Sequence, residues 1–387
     1  MRLWRKILYF SFRVLSISLA IFFTQSLCFL LQNQHQKKLK SFFLAAGRSG
    51  GHIIPAKTLA KNQILKTPDI KIIFFSTNSQ LDTHLLKHDA SIQQHIPLTL
   101  ENIPRNNVFS LFFYTLEIAK IARFACAYFR NHRPAKCIST GGYITLPIGL
   151  AAWLSNTPFF LYELNVIPGK AVKIMGALAT TIFCSFKKTI CTFPFFYNAT
   201  NAPYPIRFTP NDIVSKEQAR SYLGIDQKLF TIAILGGSQG SHLFNTLIPS
   251  VLTKQNKHFP LQIIHQTGSQ EEQYVNSYYA EAKIPALVFS FRNDIAAIYS
   301  AADICISRAG AGSIFELLFF EKPSIIIPLA TKTTDHQKDN AKAISEEFPN
   351  LYTYLEQDAL EHNQELLIQQ ILRLSTFSAP SSGHKKE

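Results

Sequence analysis

The chain has 387 residues, 47% of them hydrophobic, so it is long enough for two domains and too apolar to be a disordered protein. Its net charge is +14, and no lysine- or arginine-rich run is interleaved with aromatic residues as in a nucleic-acid groove. The composition therefore argues against a nucleic-acid partner and suits contact with an anionic membrane.

Residues 1–38 form a basic and hydrophobic extension. Residues 14–31 carry no formal charge and lie between basic flanks, which reaches the lower length limit for a membrane-spanning helix. No small-residue cleavage site of an ordinary secretory signal is evident. We expect either a membrane segment or a start-site artefact, in which case the natural protein begins near Leu39.

From Ser41 onward, short apolar runs alternate with longer helix-like stretches. Such runs are typical of strands buried on both faces of a parallel sheet. The first half contains SFFLAA, KIIFFS, AKCIS, PFFLY and TTIFC, and the second contains LFTIAIL, LQIIH, ALVFS, DICIS and PSIIIP. The alternation predicts the α/β class, with two Rossmann-like domains whose parallel sheets face a central cleft.

A proline-containing stretch, NATNAPYPIRFTPND, separates the two sets of strands and predicts a linker. We assign residues 39–203 to the first domain, residues 204–375 to the second and residues 376–387 to a loose polar tail. The six cysteines form no CxxC pair, and most lie within apolar runs. We therefore expect buried thiols in a reducing compartment rather than a disulfide framework or a zinc site.

Glycine-rich turns follow the first predicted strand of each domain: AAGRSGGH in the first and LGGSQGS in the second. A third, STGGYITLP, follows another strand of the first domain. Ligands of open α/β sheets bind at the carboxyl ends of strands, where helix N-termini suit a diphosphate. No G-x-G-x-x-G fingerprint or P-loop lysine is present. One domain is therefore predicted to bind a nucleotide donor and the other its acceptor.

Seven motifs occur in the order, and at about the spacing, of the bacterial MurG glycosyltransferases: GRSGGHIIPA, STGGYITLP, YELNVIPGKA, ILGGSQGSHLFN, IHQTG, ISRAGAGSIFEL and TDHQKDNA. The chain resembles this family over roughly residues 40–350. The resemblance implies the GT-B fold and transfer of N-acetylglucosamine, with inversion, from UDP-N-acetylglucosamine to lipid I (undecaprenyl-diphospho-muramoyl-pentapeptide). The product would be lipid II, made for peptidoglycan by a peripheral enzyme on the cytoplasmic side of the inner membrane.

The resemblance also implies most of the donor site. Ser238 and Arg207 are expected at the diphosphate, and Glu316 at the ribose hydroxyls. From the residues alone, the preferred interpretation of Glu316 is a first-turn glutamate that favours the helix dipole. The other donor-binding residues implied in the second domain are Arg292 (through its main chain), Ala311, Gly312, Ser313 and Gln337.

The first domain is implied to complete the donor site and to supply the base. Its expected donor-binding residues are Ser49, Gly50, Gly51 and Asn165. His52 stands where the attacking hydroxyl must lose a proton, a step suited to a histidine near its normal pKa. The other interpretation of His52 is a helix-start residue that bonds the loop. Neither a metal nor a cofactor is expected, because helix N-termini and Arg207 offset the diphosphate charge.

The stretch NVFSLFFYTLEIAKIARFACAYFR combines aromatic residues with basic ones, and the resemblance implies that it contacts the membrane. A buried helix is the alternative for this stretch. Four positions depart from the family pattern: Arg48 and Ser139 replace glycines, Leu164 replaces a glutamine and Val172 replaces an asparagine. Three other functions stay open: a different GT-B transferase such as a diacylglycerol glycosyltransferase, an NAD-dependent oxidoreductase, and a non-catalytic membrane-anchored UDP-sugar binder.

Overall fold

Two parallel β-sheets form the framework of the protein, as the alternating apolar runs predict. The computed structural model describes residues 41–87, 89–100, 108–237, 240–255, 260–329 and 336–378. These residues belong to one unit, Lys40–Glu387. The predicted extension of residues 1–38 and the donor-site residue Ser238 lie outside the described residues.

The first sheet contains seven described strands. They are β1 (Ser41–Ala46), β2 (Lys71–Thr77), β3 (Gln94–Leu98), β4 (Lys136–Gly141), β5 (Phe159–Glu163), β6 (Thr181–Cys184) and β7 (Ala199–Asn201). All pairings are parallel, in the order β3-β2-β1-β4-β5-β6-β7. The accompanying helices are α1 (Gly50–Lys66), α2 (Gln80–Leu86), α3 (Val108–His132), α4 (Thr145–Leu154), α5 (Lys170–Met175) and α6 (Lys187–Ile190).

The second sheet contains six described strands. They are β8 (Phe230–Leu235), β9 (Leu261–Gln266), β10 (Ala286–Phe289), β11 (Ile304–Ser307), β12 (Ser324–Ile326) and β13 (Tyr352–Tyr354), in the parallel order β10-β9-β8-β11-β12-β13. Its helices are α7 (Lys216–Leu223), α8 (His242–Gln255), α9 (Glu272–Glu281), α10 (Ile295–Ala301), α11 (Ala311–Phe319), α12 (His336–Glu347), α13 (Gln357–His362) and α14 (Glu365–Ser378). Short 3₁₀ turns occur at Gly176–Leu178 and Pro210–Asp212.

Strand β1 shows why the central runs are almost purely apolar. All six of its residues are buried, because helices cover both faces of the sheet. Phe42 and Leu44 belong to the same buried cluster as Ile53 of α1. Phe43 packs against Phe129 of α3, with ring centroids 4.7 Å apart. Burying one such side chain stabilises the fold by about 1.5–3 kcal/mol.

Each of the ten predicted runs forms a strand, and three further strands, β3, β7 and β13, were not predicted. All three are edge strands, each paired with a neighbouring strand on one side only. An edge strand is less enclosed than a central one, so it does not require an apolar run. Strand β3 carries Pro97, which an edge position tolerates. Two boundaries need correction: β7 occupies the start of the predicted linker, and α14 extends three residues into the predicted tail.

Helix α3 is the predicted membrane-contacting stretch, and it has two different sides. Its exposed large hydrophobic residues are Phe109, Leu111, Phe112, Phe113, Leu116 and Phe124. The opposite side is buried, with Phe129 at 1% exposure and Ala125 at 0%. The buried-helix interpretation therefore holds for one side of α3, and membrane contact by the exposed side stays a prediction. Among the described residues, no helix combines the length and apolarity needed to cross a bilayer.

Of the described cysteines, four lie in the apolar interior as predicted: Cys126, Cys137, Cys184 and Cys305. The fifth, Cys191, is exposed.

Candidate functional site

Two glycine turns touch at the carboxyl ends of the neighbouring strands β1 and β4. Gly141 has a φ of +119°, and a Cβ there would lie 2.7 Å from the ring of His52. A Cβ at Gly142 would lie 2.8 Å from the carbonyl oxygen of Gly47. Only glycine allows both this backbone conformation and these close approaches. The structure thus brings the first and third predicted loops together around His52.

His52 lies in the first turn of α1 and is fixed at one ring nitrogen. Its Nδ1 is 2.9 Å from the carbonyl oxygen of Thr140, and the Thr140 hydroxyl donates to the His52 carbonyl at 2.8 Å. Because a carbonyl oxygen can only accept, Nδ1 carries the hydrogen and Nε2 is left as the basic nitrogen. Among the described residues, Nε2 has no hydrogen-bond partner.

Burial lowers the pKa of His52 below its ordinary value of 6.5. The Thr140 hydrogen bond opposes this effect, and the charge of His336 at the start of α12 adds to it. His336 belongs to the second domain, so the electrostatic influence crosses from one predicted domain to the other. At neutral pH, His52 is therefore a neutral imidazole, and its Nε2 is available as a base.

The start of α1 provides further polar groups beside His52. Ser49 is the extended N-cap residue, and its carbonyl accepts from the N–H groups of His52 and Ile53, each at 3.1 Å. The Ser49 hydroxyl makes no capping hydrogen bond. The first N–H groups of a helix have no partner within it, so Gly50 and Gly51 present donors suited to an anion.

Asp82, which the sequence analysis did not single out, anchors the first glycine loop through hydrogen bonds. Its carboxylate is fully buried and accepts from the backbone N–H of Arg48 at 2.9 and 3.0 Å. It also accepts from the Thr77 hydroxyl at 2.5 Å. The sequence signal, Ser79 followed three residues later by Asp82, predicts only a helix start, since the contact with Arg48 joins distant parts of the chain.

Asn165 lies where the two domains meet. Its Oδ1 accepts from Nδ2 of Asn340, on α12, at 3.0 Å. The neighbouring Glu163 is buried and accepts from the N–H groups of Asn165 and Gly169, each at 2.9 Å. Burial raises the pKa of Glu163, and these hydrogen bonds oppose the rise. Asn165 is thus held by groups from both domains.

Arg207 and Glu316, predicted to bind different parts of the donor, form an ion pair. Arg207 Nε donates to Glu316 Oε1 at 2.8 Å, and the buried Tyr299 hydroxyl donates to Glu316 Oε2 at 2.9 Å. The Arg207 guanidinium also lies over the ring of Phe208, 4.9 Å from its centroid. The two charged residues predicted to bind the donor, Arg207 and Glu316, are therefore in direct contact in the second domain.

The predicted residues Ala311, Gly312 and Ser313 form the first turn of α11, after the extended N-cap Gly310. The linker contacts this turn through Tyr204, which stacks on Phe315 with centroids 4.6 Å apart. A Cβ at Gly312 would lie 3.3 Å from the Tyr204 hydroxyl. The helix start beside the Arg207–Glu316 pair is consequently packed against the linker.

A buried arginine, Arg308, was also missed by the sequence analysis, although it lies inside the ISRAGAGSIFEL motif. Its Nη2 donates at 2.6 Å to the hydroxyl of Ser241, the last residue of the second glycine loop. Among the described residues, its other hydrogen-bond partners are neutral oxygens. Burial lowers the pKa of Arg308 to about 10, so the group still carries its charge at neutral pH. It adds positive potential at the carboxyl end of β11.

Gln337 and Arg292 have side chains already engaged within the protein. Gln337 Oε1 accepts from the N–H of Leu329 at 3.1 Å. Arg292 forms a two-pronged pair with Asp294, at 2.8 and 2.5 Å. Within the described residues, no group of three or more potential metal-ligating side chains occurs.

Comparison with known proteins gives concordant matches over most of the chain. Residues 42–184 match the Glycosyltransferase family 28 N-terminal domain, and residues 231–386 match the C-terminal domain of the same family. A transferase of Protochlamydia amoebophila, named UDP-N-acetylglucosamine--N-acetylmuramyl-(pentapeptide) pyrophosphoryl-undecaprenol N-acetylglucosamine transferase, is 33% identical over 304 residues. That match covers 78% of this chain and 79% of the relative.

Two further matches support the same grouping. A transferase of the same name from Campylobacter fetus is 31% identical over 335 residues, covering 87% of this chain and 92% of the relative. The crystal structure of Acinetobacter baumannii MurG superposes with a TM-score of 0.68 at 24% identity, covering 88% of this chain and 94% of that one. The structural match shows the GT-B fold that the sequence predicted.

Proposed function

This chain belongs to the MurG family within glycosyltransferase family 28, and we propose that it transfers N-acetylglucosamine from UDP-N-acetylglucosamine to lipid I. The observation that carries the proposal at the site is the fixed tautomer of His52. A single displacement needs a base at the acceptor hydroxyl and positive potential at the departing diphosphate. In this proposal the first domain supplies the base, and the second domain supplies the positive potential.

His52 is the proposed general base. The acceptor oxygen attacks the anomeric carbon of the sugar, the bond from that carbon to UDP breaks, and Nε2 takes the hydroxyl proton. Because Nδ1 is occupied by Thr140, Nε2 is the nitrogen available for this step. The lowered pKa of His52 keeps it unprotonated at neutral pH, so the base form is present before the substrate binds.

The second domain is proposed to hold the donor. Glu316 is proposed to accept from the ribose hydroxyls, and Arg207, its ion-pair partner, is proposed to bind the diphosphate. The first turn of α11 and the buried charge of Arg308 add positive potential where UDP leaves with its negative charge. We also propose that the donor is bound by the other residues that the family resemblance implies: Ser238, Arg292, Gln337 and Asn165.

We further propose a peripheral location at the cytoplasmic face of the inner membrane. The exposed aromatic side of α3 supports this, because largely exposed phenylalanines such as Phe109 and Phe113 suit an interface. Lys120 and Arg123 on the same helix are exposed as well and suit anionic lipid headgroups.

The test is incubation of the purified chain with lipid I and UDP-N-acetylglucosamine labelled in the sugar, followed by lipid extraction. Label should enter the organic phase only when lipid I is present. Diacylglycerol replaces lipid I in a parallel reaction, because a diacylglycerol glycosyltransferase would share the fold and the donor. Labelled diacylglycerol with unlabelled lipid I, or donor binding without turnover on either acceptor, would refute the proposed acceptor.

A further inference from the structure

Asp82 carries a buried negative charge that hydrogen bonding alone does not require. Its residue exposure is 0%, and it forms no ion pair within the described part of the chain. The described partners of its carboxylate are donors, namely the Arg48 N–H and the Thr77 hydroxyl, so the carboxylate is ionised. A buried charge without a cation is costly, and a neutral asparagine could accept from the same N–H. The charge itself therefore indicates a function.

Asp82 and His52 lie on opposite sides of the first glycine loop (AAGRSGGH). The loop follows β1, whose neighbours in the sheet are β2 and β4. Asp82 is bonded to Thr77, the last residue of β2, and His52 is bonded to Thr140 near the end of β4. The carboxyl ends of three adjacent strands thus bring the carboxylate, the loop and the imidazole together.

A continuous chain of close glycine contacts joins the two side chains. A Cβ on Gly47 would lie 2.9 Å from Oδ2 of Asp82, and a Cβ on Gly142 would lie 2.8 Å from the Gly47 carbonyl oxygen. The next link is Gly141, where a Cβ would lie 2.7 Å from the His52 ring. Because Asp82 and Gly47 are buried, water screens the carboxylate charge less than it would at the surface.

The charge of Asp82 acts on two histidines of the first domain. Burial lowers the pKa of His52, the Thr140 hydrogen bond and the charge of Asp82 oppose this effect, and the charge of His336 on α12 adds to it. Burial also lowers the pKa of His95 on β3, and the charge of Asp82 again opposes it. His95 lies outside the glycine loop, so it reports on the charge separately from the loop.

We propose that Asp82 is a positioning residue of the transfer reaction, which orders the first glycine loop and stabilises by its charge the imidazolium form of His52. This inference rests on the proposed function, in which His52 is the general base. As the acceptor oxygen attacks the sugar, its proton passes to Nε2 of His52, and the neutral imidazole becomes an imidazolium. Asp82 remains ionised throughout and takes no proton.

The carboxylate acts on His52 without a hydrogen bond to its ring. Nδ1 of His52 is bonded to the Thr140 carbonyl oxygen, so the influence of Asp82 passes through space. Loop order and charge can therefore be separated by substitution. Asp82→Asn keeps an oxygen for the Arg48 N–H, and the Thr77 hydroxyl can accept from the new amide. This variant should keep the loop in place and remove only the charge.

The experiment is a titration of the histidine ring signals of the full chain, followed by nuclear magnetic resonance. The signals of His52 and His95 are identified by their loss in His52→Asn and His95→Asn. In Asp82→Asn both titration midpoints should fall by about 0.5 pH unit or more, because the charged imidazoles lose a stabilising anion. Asp82→Ser removes the same charge with a smaller side chain and should give the same result if Asp82→Asn does not fold.

Asp89→Asn is the matched control. Asp89 is also a carboxylate with a mostly buried side chain, 7% exposed, but it is paired with Lys57. Its substitution should leave the midpoints of His52 and His95 unchanged. Thr77→Val removes a hydrogen bond from Asp82 and keeps the charge, so both midpoints should stay within about 0.2 pH unit of the wild type.

The transfer assay supplies a kinetic readout of the same charge. In Asp82→Asn the acid limb of kcat/KM should move to lower pH, since the base form of His52 then persists to lower pH. Turnover at the plateau should fall severalfold, because the imidazolium that forms is less stable. The UDP dissociation constant should not change.

Unchanged midpoints of both histidines in Asp82→Asn would overturn the inference. A shift of His52 without a shift of His95 would also overturn it, because it would show a displaced loop rather than a lost charge. The ring titration needs no substrate, so it is independent of the proposed function. Transfer to lipid I with unchanged midpoints refutes the role of Asp82 alone. Lowered midpoints without transfer to lipid I refute the function and support the action of Asp82 on His52.

Discussion

Asn340 and Asn165 hydrogen-bond to each other between the two sheets of the protein, with Asn340 Nδ2 3.0 Å from Asn165 Oδ1. Asn340 is fully buried, and its Oδ1 also accepts from the N–H of Val166 at 2.9 Å. Its Nδ2 further donates to the carbonyl of Ala309 at 3.2 Å. One side chain therefore connects the loop after β5 with the loop before α11, the regions that carry predicted site residues from both domains.

Asn340→Ala should lower the free energy of unfolding by about 1–3 kcal/mol, since it leaves buried polar groups without partners. It should also lower kcat/KM, because the two halves of the site lose a common support. Urea denaturation and steady-state transfer would measure both effects. Asn62→Ala, at an exposed asparagine inside α1, is the control and should not lower the free energy of unfolding, because alanine favours a helix interior. Equal stability of the two variants would contradict the role assigned to Asn340.

The general-base role of His52 can be separated from its loop-bonding role. His52→Asn places an amide near the Nδ1 position, so it can still donate to Thr140, but it lacks Nε2. We expect turnover to fall about 10²–10⁴-fold, with a UDP dissociation constant close to that of the wild type. A loss of only a fewfold would assign His52 to loop structure instead.

The pH dependence of kcat/KM tests the same assignment. A general base is active when unprotonated, and burial places the pKa of His52 below 6.5. Activity should therefore be at its plateau at pH 7 and fall as the pH drops through that lowered pKa. The acid limb should disappear in His52→Asn. A limb centred clearly above pH 6.5 would show that another group controls the reaction.

Gly141 should be required for the position of the His52 ring. Gly141→Ala adds a Cβ that would lie 2.7 Å from that ring, so the ring must move and turnover should fall by at least about tenfold. Gly224→Ala is the matched control, because Gly224 also has positive φ, at +68°, but no atom lies within 4 Å of an added Cβ. Comparable turnover losses in the two variants would attribute the effect to backbone strain rather than to His52.

Much of the fold could be predicted because its central strands are covered on both faces. A run such as SFFLAA has no polar position, and this pattern identifies it without knowledge of its neighbours. The edge strands escaped prediction for the opposite reason: QHIPL is half-buried and carries a proline. The family resemblance then indicated the two-sided cleft and the candidate site residues.

The missed residues share a property that sequence patterns do not carry. Asp82, Arg308 and Asn340 act through partners that are distant in the chain, such as the 34 positions between Asp82 and Arg48. Local spacing indicates a helix start for Asp82 and nothing specific for the other two. The pairing of Arg207 with Glu316, 109 positions apart, was hidden for the same reason, although each residue was predicted separately.

That pairing leads to a prediction about donor binding. If Arg207 binds the diphosphate and Glu316 binds the ribose, the donor must engage both members of an existing ion pair. Glu316→Gln and Arg207→Ala should each raise the KM for UDP-N-acetylglucosamine roughly 10- to 150-fold, corresponding to about 1.5–3 kcal/mol for a hydrogen bond to a charged group. Turnover at saturating donor should change less than KM.

The double variant tests whether the two residues act as one unit. Residues in direct contact are not independent, so the combined loss should be smaller than the sum of the two single losses in free energy. Calorimetric titration with UDP supplies the four dissociation constants of this cycle. Glu346→Gln, which breaks the exposed pair between Lys188 and Glu346, is the control and should leave UDP binding unchanged. Full additivity of the two single losses would show that the donor does not engage Arg207 and Glu316 as a coupled pair, and unchanged affinity in both single variants would place the donor elsewhere.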